Sequence, residues 1–189
     1  MLEGIKKLHF VGIGGVGMSA IAEVMLDKGY EISGSDLSES AVVKHLKAKG
    51  ATIYKGHDAL NVEGKEALVL SSAIHQDNPE LVAAKAKGLK LFHRSDILAY
   101  LLNDAKGIAV AGAHGKTTTS SMISVVLEHA KVDPTILIGG FVDYLKGNAK
   151  LGKSDYLVAE ADESDGSFLK FYPKIAVVTN IEDDHMDHY

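Results

Sequence analysis

Short apolar runs rich in Val and Ile alternate along the chain with segments whose apolar residues recur every three or four positions. The first pattern is typical of buried strands, and the second of helices with one apolar face. Strands are predicted near residues 8–13, 30–33, 52–54, 67–70, 89–92, 108–111, 134–138, 155–159 and 175–179, and helices near 18–26, 41–49, 79–87, 96–102 and 116–129. This alternation predicts βαβ units and a parallel sheet, the α/β fold class.

The alternation starts afresh after residues 104–107, which read Asp-Ala-Lys-Gly. We therefore predict two α/β domains, a Rossmann-like parallel-sheet domain at 1–104 and a second domain at 105–189. The chain stops soon after its last predicted strand, before any helix or strand that would close the second sheet. We expect the sequence to be the front part of a longer protein.

Composition narrows the class of partner. The hydrophobic content of 46% is ample for a buried core, and the formal net charge is −5 with a single arginine, Arg94. Without a basic patch, no nucleic-acid partner is expected. The absence of cysteine excludes disulfides and thiolate metal sites, and no apolar run reaches the roughly 18–20 residues of a membrane span. We expect a cytoplasmic protein with no membrane insertion; the sequence does not indicate its oligomeric state.

The first candidate site is a glycine-rich turn. Residues 12–17 read G-I-G-G-V-G between a predicted strand and a predicted helix. Glycines allow a backbone to approach a phosphate closely, and the helix N-terminus behind them favours an anion. Asp36 ends the second strand, where a carboxylate can accept hydrogen bonds from ribose hydroxyls. The motif indicates a nucleotide without saying which one, so NAD stays an alternative, as does a turn that needs glycine only for packing.

Two further positions lie at predicted strand ends, the edge where ligands bind in open α/β sheets. Arg94 follows the fifth strand, and its guanidinium is suited to a diphosphate. Ser71 and Ser72 follow the fourth strand and could donate hydrogen bonds. A solvated arginine and simple strand termination are the alternatives for these positions.

A second glycine-rich turn predicts a different phosphate site. Residues 111–117 read A-G-A-H-G-K-T, and the Gly115-Lys116-Thr117 core is the phosphate-loop signature. In such loops the lysine reaches the β- and γ-phosphates and the hydroxyl binds Mg²⁺. Val110 stands where the full pattern has glycine, so the loop is a shortened variant. The second domain is therefore predicted to be the beginning of a P-loop ATPase α/β domain.

Such a loop needs a carboxylate at the end of a neighbouring strand to hold the metal. Glu160 directly follows the apolar run 156–159 and is the preferred candidate, with Asp162 second. Further on, Asp184 and His185 could bind a second metal or position a phosphoryl group. A zinc site at His185 and His188 lacks a recognisable third ligand, and a charged chain end is the simpler alternative.

Several motifs in one order resemble the Mur ligases of bacterial peptidoglycan synthesis over the whole chain. They are V-G-I-G-G-V-G-M-S at 11–19, G-S-D at 34–36, S-S-A-I at 71–74, H-G-K-T-T-T at 114–119, E-A-D-E-S-D at 160–165 and D-H-M-D at 184–187. The resemblance implies an ATP-dependent ligase with Mg²⁺. Within the family it is strongest to the members that join L-alanine to UDP-N-acetylmuramate through an acyl phosphate.

The resemblance also implies roles for individual residues. It assigns the UDP-sugar site to Gly14, Gly15, Gly17, Asp36, Ser71 and Arg94, and the ATP site to Gly112, His114, Gly115, Lys116, Thr117 and Thr118. Thr117, Glu160 and His185 are the implied metal-binding residues, and Lys116, Glu160 and His185 the implied catalytic ones. Ala113 departs from the family pattern, which has threonine there.

Three other functions remain open from the sequence. A related ligase that attaches a recycled tripeptide to the same sugar nucleotide would share both phosphate sites. An NAD-dependent oxidoreductase would use the first turn alone, and Lys116 with Thr117 argues against it. A non-catalytic nucleotide-binding module would describe the 189-residue chain itself, which we expect to be inactive as a ligase without the rest of the protein.

Overall fold

The computed structural model describes residues 1–162 and 166–183. It divides into two compact units, Met1–Arg94 and Ser95–Tyr189. The division falls at the start of the helix Arg94–Asp104, because this helix is tied to the second unit. In that unit Lys170 Nζ donates to Asp96 Oδ1 at 2.7 Å, and Asn103 Nδ2 donates to the backbone oxygen of Lys170 at 3.0 Å. The functional domains at 1–104 and 105–189 stay a prediction.

The first unit is an all-parallel sheet with helices formed by the intervening segments. Its elements are β1 (Lys7–Val11), α1 (Val16–Asp27), β2 (Glu31–Asp36), α2 (Ala41–Ala48), β3 (Thr52–Lys55), a 3₁₀ turn (Ala59–Val62), β4 (Ala67–Leu70), α3 (Pro79–Ala86) and β5 (Lys90–His93). The strand order is β3-β2-β1-β4-β5, so the predicted Rossmann-like parallel sheet is confirmed.

Strand β1 is central, and its apolar residues explain its position. Leu8, Phe10 and Val11 are fully buried, and β1 pairs with β2 on one side and with β4 on the other. The strand order therefore reverses at β1. Ligands bind at such a switch point, outside the carboxyl ends of the strands. The first glycine turn leaves β1 at this point.

The second unit contains a mixed sheet, and it includes α4 (Arg94–Asp104) except for the first residue of that helix. Its further elements are β6 (Lys106–Ala111), α5 (Lys116–His129), β7 (Thr135–Val142), β8 (Gly147–Lys150), β9 (Tyr156–Glu160), a 3₁₀ turn (Ser167–Lys170) and β10 (Ile175–Val178). The strand order is β10-β6-β9-β7-β8. Strand β6, which leads into the second glycine turn, therefore has β10 on one side and β9 on the other.

One strand of this sheet departs from the expected parallel arrangement. Strand β8 pairs antiparallel with β7, next to a β-bulge between Leu137 and Val142. Its sequence, G-N-A-K, has no apolar alternation and was not predicted as a strand. It becomes one because β7 offers a free edge that a short connection can return to. Within residues 1–162 and 166–183, none of the helices combines the length and the apolar character that crossing a bilayer requires.

Candidate functional site

The first glycine turn is hydrogen-bonded to the last two residues of β2. The backbone N–H groups of Gly12 and Ile13 both donate to the carbonyl oxygen of Ser35, at 2.9 and 3.0 Å. The next N–H group, that of Gly14, donates to Asp36 Oδ2 at 2.8 Å. Three consecutive turn amides are thus fixed by two consecutive residues of one strand. The turn is preformed in this structure.

Close approach explains why glycine stands at the centre of this turn. A Cβ at Gly14 would lie 2.8 Å from Asp36 Oδ2 and 2.9 Å from Val43 Cγ2. At Gly17, a Cβ would lie 3.5 Å from Nη1 of Arg94, so the guanidinium lies against the first turn of α1. The structure therefore brings Gly14 together with Asp36, and Gly17 together with Arg94.

Ser71 begins the neighbouring turn at the end of β4. Its carbonyl oxygen accepts from the Ile74 N–H at 3.1 Å, and Ile74 Cδ1 lies 3.5 Å from the position that a Cβ of Gly12 would occupy. The half-buried Ser71 thus shares the carboxyl edge of the sheet with the glycine turn. On the same edge, Ser72 Oγ lies 3.1 Å from His93 Nε2, a contact that the sequence did not indicate.

The two helices that follow glycine turns begin without a side-chain cap. Helices α2 and α3 are capped by the side chains of Ser40 and Asn78, which accept from first-turn N–H groups. Helix α1 begins directly after Gly15. Helix α5 begins directly after Gly115, whose backbone is in the left-handed conformation. Their N-termini keep the positive dipole end and the N–H groups that an anion can bind.

The second glycine turn is clamped by the residues that follow β10. Asn180 Nδ2 donates to the His114 carbonyl and Asn180 Oδ1 accepts from the His114 N–H, both at 3.0 Å. Thr179 Oγ1 donates to the same carbonyl at 2.6 Å. A Cβ at Gly112 would collide with the Thr179 hydroxyl. These side chains were not predicted as site residues, because the pairing of β10 with β6 that brings them here is long-range.

Lys116 folds back over the loop that it closes. Its Nζ donates to the carbonyl oxygen of Gly112 at 2.6 Å and lies 3.4 Å from that of Ala113. The ammonium is therefore within the curve of the loop, where the predicted phosphates would bind. Carbonyl oxygens bind a cation more weakly than phosphate oxygens do. A bound phosphate can therefore replace the carbonyl oxygens as the partner of Lys116.

Glu160 lies on the other side of the loop, at the end of β9. Its Oε1 accepts from the Gly139 N–H at 2.9 Å and lies 3.3 Å from Ser120 Oγ. A Cβ at Gly139 would lie 2.5 Å from Glu160 Oε2, and one at Gly140 would lie 3.0 Å from Thr117 Cγ2. The Gly139-Gly140 pair in β7 therefore makes room for two of the three predicted metal-binding side chains, those of Glu160 and Thr117. The Thr117 methyl group lies towards Gly140, and oxygen ligands such as the Glu160 carboxylate and the Thr117 hydroxyl are the kind that a hard cation such as Mg²⁺ prefers.

The remaining residues predicted for this region include His114, Thr118, Asp162 and His185. His114 is exposed, with its Nδ1 3.4 Å from Glu182 Oε2, and Thr118 is exposed on α5. Asp162 lies two residues beyond the end of β9. His185, Asp184 and His188 lie outside the described residues. Within residues 1–162 and 166–183, no three His, Asp or Glu side chains gather as a metal site.

The two units share one plan. Each carries a glycine turn between a central strand and an uncapped helix, and each turn faces a carboxylate from a neighbouring strand. This arrangement defines a nucleotide-binding α/β protein with a candidate phosphate site in each unit.

The chain belongs to the Mur ligase family. The family model described as "Mur ligase family, catalytic domain" matches residues 7–117, and that described as "Mur ligase middle domain" matches residues 110–189. The resemblance drawn from the motifs is therefore confirmed, as is the fold class.

Curated relatives cover this chain almost completely. A UDP-N-acetylmuramate–L-alanine ligase from Azoarcus sp. is 54% identical over 100% of the chain, and one from Hydrogenobaculum sp. is 57% identical over 99% of it. The chain spans only 40% and 42% of these two relatives.

Two solved structures share the fold. A ligase for UDP-N-acetylmuramate and L-alanyl-γ-D-glutamyl-meso-diaminopimelate from Neisseria meningitides matches 98% of the chain and 64% of its own, with a TM-score of 0.89 and 31% identity. A UDP-N-acetylmuramate–alanine ligase from Thermotoga maritima matches 97% of the chain and 43% of its own, with a TM-score of 0.87 and 34% identity.

Proposed function

We propose that the chain is the front part of an ATP-dependent ligase that joins L-alanine to the carboxylate of UDP-N-acetylmuramate, a step of peptidoglycan precursor synthesis. One observation carries the proposal: a single chain holds two glycine turns built for different phosphates. The first faces a strand-end aspartate suited to a ribose, and the second has Lys116 and a metal-suited pair, Thr117 and Glu160. The 54–57% identity to alanine ligases supports the choice of substrates.

In the first unit, the residues at the switch point would bind the UDP portion. The N-terminus of α1, at Gly15 and Gly17, would face the diphosphate, and Arg94 beside Gly17 would neutralise its charge. Asp36 would accept from the ribose and Ser71 would line the same edge. Because the Asp36 carboxylate already accepts from Gly14 and Ser38, its position is fixed before a ligand arrives.

In the second unit, the loop residues would hold ATP for phosphoryl transfer. A carboxylate oxygen of the sugar nucleotide attacks the γ-phosphorus, ADP leaves, and an acyl phosphate forms. The amine of L-alanine then attacks the acyl carbon, the bond between this carbon and the phosphate oxygen breaks, and inorganic phosphate leaves. The amine nitrogen loses a proton to solvent as the amide forms. Lys116 would move from the Gly112 carbonyl to the transferring phosphoryl group, where its charge stabilises the negative charge of the transition state.

The metal that the family implies fits the residues around the Gly139-Gly140 pair. Thr117 and Glu160 would hold Mg²⁺ there, with His185 as a further predicted ligand. When bound, Mg²⁺ neutralises phosphate charge and orients the γ-phosphoryl group. The protein's own contribution is to keep the Glu160 carboxylate oriented through the Gly139 N–H.

Calorimetric titration of the chain with UDP-N-acetylmuramate tests the assignment, with NAD as the matched nucleotide. We expect saturable binding of the sugar nucleotide and none of NAD. Gly14→Ala should abolish this binding, because its Cβ would displace Asp36 and Val43. Gly147→Ala is the control, since its nearest neighbour, the Leu145 carbonyl, would be 3.9 Å away.

The outcomes separate the alternatives. Binding of NAD alone would favour the oxidoreductase. If NMR spectra show that both units are folded and neither nucleotide binds, the proposed role of the first turn is contradicted. Binding of the sugar nucleotide that survives Gly14→Ala would move the site away from this turn.

The tripeptide ligase is a second candidate, because the Neisseria structure with that activity has a TM-score of 0.89. Its 31% identity is well below the 54–57% of the alanine ligases, which therefore lead. Assays of the full-length protein with L-alanine and with the tripeptide, at equal ATP and sugar nucleotide, discriminate the two.

A further inference from the structure

The first unit contains a buried ionisable group that the proposed reaction does not use. Glu80, at the start of α3, has a side chain with 0% exposure. Its carboxylate is the centre of a polar group that we call the Glu80 cluster. The cluster consists of Glu80 with His9, Ser33, Ser35, His57 and Asn61.

Four side chains donate to the Glu80 carboxylate. Oε1 accepts from Asn61 Nδ2 at 2.7 Å and from His9 Nε2 at 3.3 Å. Oε2 accepts from Ser35 Oγ at 2.6 Å and from His57 Nδ1 at 2.9 Å. Both oxygens are therefore fully used, as a buried carboxylate requires. His9 is anchored in turn by a 2.9 Å contact between its Nδ1 and Ser33 Oγ.

These donors keep Glu80 ionised. Burial by itself would raise the pKa of Glu80, but the hydrogen bonds from His9, Ser35, Asn61 and His57 outweigh it and lower the pKa to about 2. A charged acceptor binds its donors about twice as strongly as a neutral one. The cluster is thus a rigid junction between β1, β2 and the start of α3.

The junction leads directly to the first glycine turn. The hydroxyl of Ser35 donates to Glu80, while the carbonyl of Ser35 accepts from Gly12 and Ile13. Ser35 is fully buried, and Asp36, which follows it, holds the Gly14 N–H. Any change in the position of Ser35 therefore passes to three consecutive amides of the turn.

We propose that Glu80 is a positioning residue, which presets the first glycine turn for its ligand by fixing Ser35. A sheet face that needed only stability would be served at least as well by apolar side chains, since burying a charged cluster costs desolvation. A buried charged cluster next to the central strands instead fixes the positions of the residues that are hydrogen-bonded in it. The choice of UDP-N-acetylmuramate as ligand rests on the proposed function, but the coupling of Glu80 to the turn does not.

Amide hydrogen exchange in the ligand-free chain tests the coupling. The measured quantity is the exchange rate of the Gly12 and Ile13 amides, divided by that of Leu68 in the core of β4. In Glu80→Gln we expect this ratio to rise about tenfold, because the turn opens locally. Leu46→Ala, a cavity in the fully buried part of α2, is the matched control. It should accelerate all these amides together and leave the ratio unchanged.

Ser35→Ala keeps the experiment decisive if Glu80→Gln does not fold. This variant removes the hydroxyl with its contacts to Glu80 and His57 and keeps the backbone carbonyl, so it separates the turn from the cluster while the other donors to Glu80 remain. The same selective rise in the ratio is expected. An unchanged ratio in the folded variants, or an equal rise in Leu46→Ala, would reduce Glu80 to a structural role and overturn the proposal.

Titration with UDP-N-acetylmuramate under conditions where each variant is folded completes the test. Glu80→Gln should weaken binding about tenfold, and Leu46→Ala should leave it unchanged. If the wild-type chain does not bind the sugar nucleotide, the proposed function fails while the exchange result still decides the coupling. Equal affinity of wild type and Glu80→Gln would overturn the positioning role for this ligand.

Discussion

The two glycine turns occupy the same place, between a strand and a helix, but are held in different ways. The first is fixed from within its sheet, by the buried Ser35 and by Asp36. The second is held by the side chains of Thr179 and Asn180, and its own Lys116 donates to the carbonyl oxygen of Gly112. One turn is held by a fully buried residue and its neighbour, and the other by half-buried side chains.

The difference suits two different tasks. A ligand that is only held during a reaction is best bound by a turn that does not move, because no reorganisation is then needed. A phosphoryl group that is transferred changes its charge and its bonds, so its site needs a cation and a metal that can follow. In the described structure the amides of the first turn are fixed by Ser35 and Asp36, and the Lys116 ammonium lies on carbonyl oxygens of its own loop; these arrangements fit the two proposed tasks.

The contribution of the buried charge is the largest effect that we expect. The pKa of Glu80 is about 2 in the folded protein, against an ordinary value of 4.5. Its ionised form thus contributes stability that is present above about pH 4.5 and is lost as the pH falls towards 2. The pKa difference corresponds to about 3 kcal/mol. Glu80→Gln should cost that much near neutral pH and progressively less in acid.

Urea unfolding followed by NMR signals of β1 and β4, at several pH values, measures this difference in the first unit alone. When the free energies of unfolding of wild type and variant are subtracted at each pH, the contributions of the other titrating groups cancel. A difference that stayed constant down to acid pH would show that ionisation of Glu80 is not its source, and the first turn would lose its supposed electrostatic support.

Lys116→Met separates the two turns most sharply in binding. We expect the affinity for ATP with Mg²⁺ to fall about 100-fold, because the loop loses the ammonium group that lies within its curve. Affinity for the sugar nucleotide should not change, since the residues that hold the first turn belong to the first unit. Lys174→Met, at an exposed position, controls for the loss of one charge. Loss of both affinities in Lys116→Met would contradict the independence of the turns.

The sequence predicted each turn well and its support poorly. Strand, glycine turn and helix are contiguous, so residues 8–26 and 108–129 carry their own signal. The supports join residues far apart: Glu80 lies 45 positions from Ser35, and Asn180 lies 66 from His114. A polar His9 in an otherwise apolar strand was the available signal for the cluster, and its register partner is Ser33. The Gly139-Gly140 pair inside β7 was the signal for a close approach to Glu160.

Gly139→Ala tests the metal corner of the second turn. Its Cβ would lie 2.5 Å from Glu160 Oε2, so the carboxylate must turn away. We expect the affinity for Mn²⁺ in the presence of ADP, measured by electron paramagnetic resonance, to fall about tenfold. Gly147→Ala in the adjacent β8 should bind the metal normally. Normal affinity in Gly139→Ala would remove Glu160 from the metal site.

Thr179→Val should give the smallest effect and probes the clamp that replaces a buried support in the second turn. The substitution keeps the shape of the side chain but removes the hydroxyl that donates to the His114 carbonyl at 2.6 Å. Asn180 still holds both backbone groups of His114, so the loop should loosen without opening.

One lost hydrogen bond predicts an ATP affinity about threefold lower. Thr52→Val on the exposed side of β3 is the isosteric control, and calorimetry at fixed Mg²⁺ gives the affinities. A loss as large as that of Lys116→Met would mean that the second turn, like the first, depends on a fixed support, and the contrast between the two turns would no longer hold.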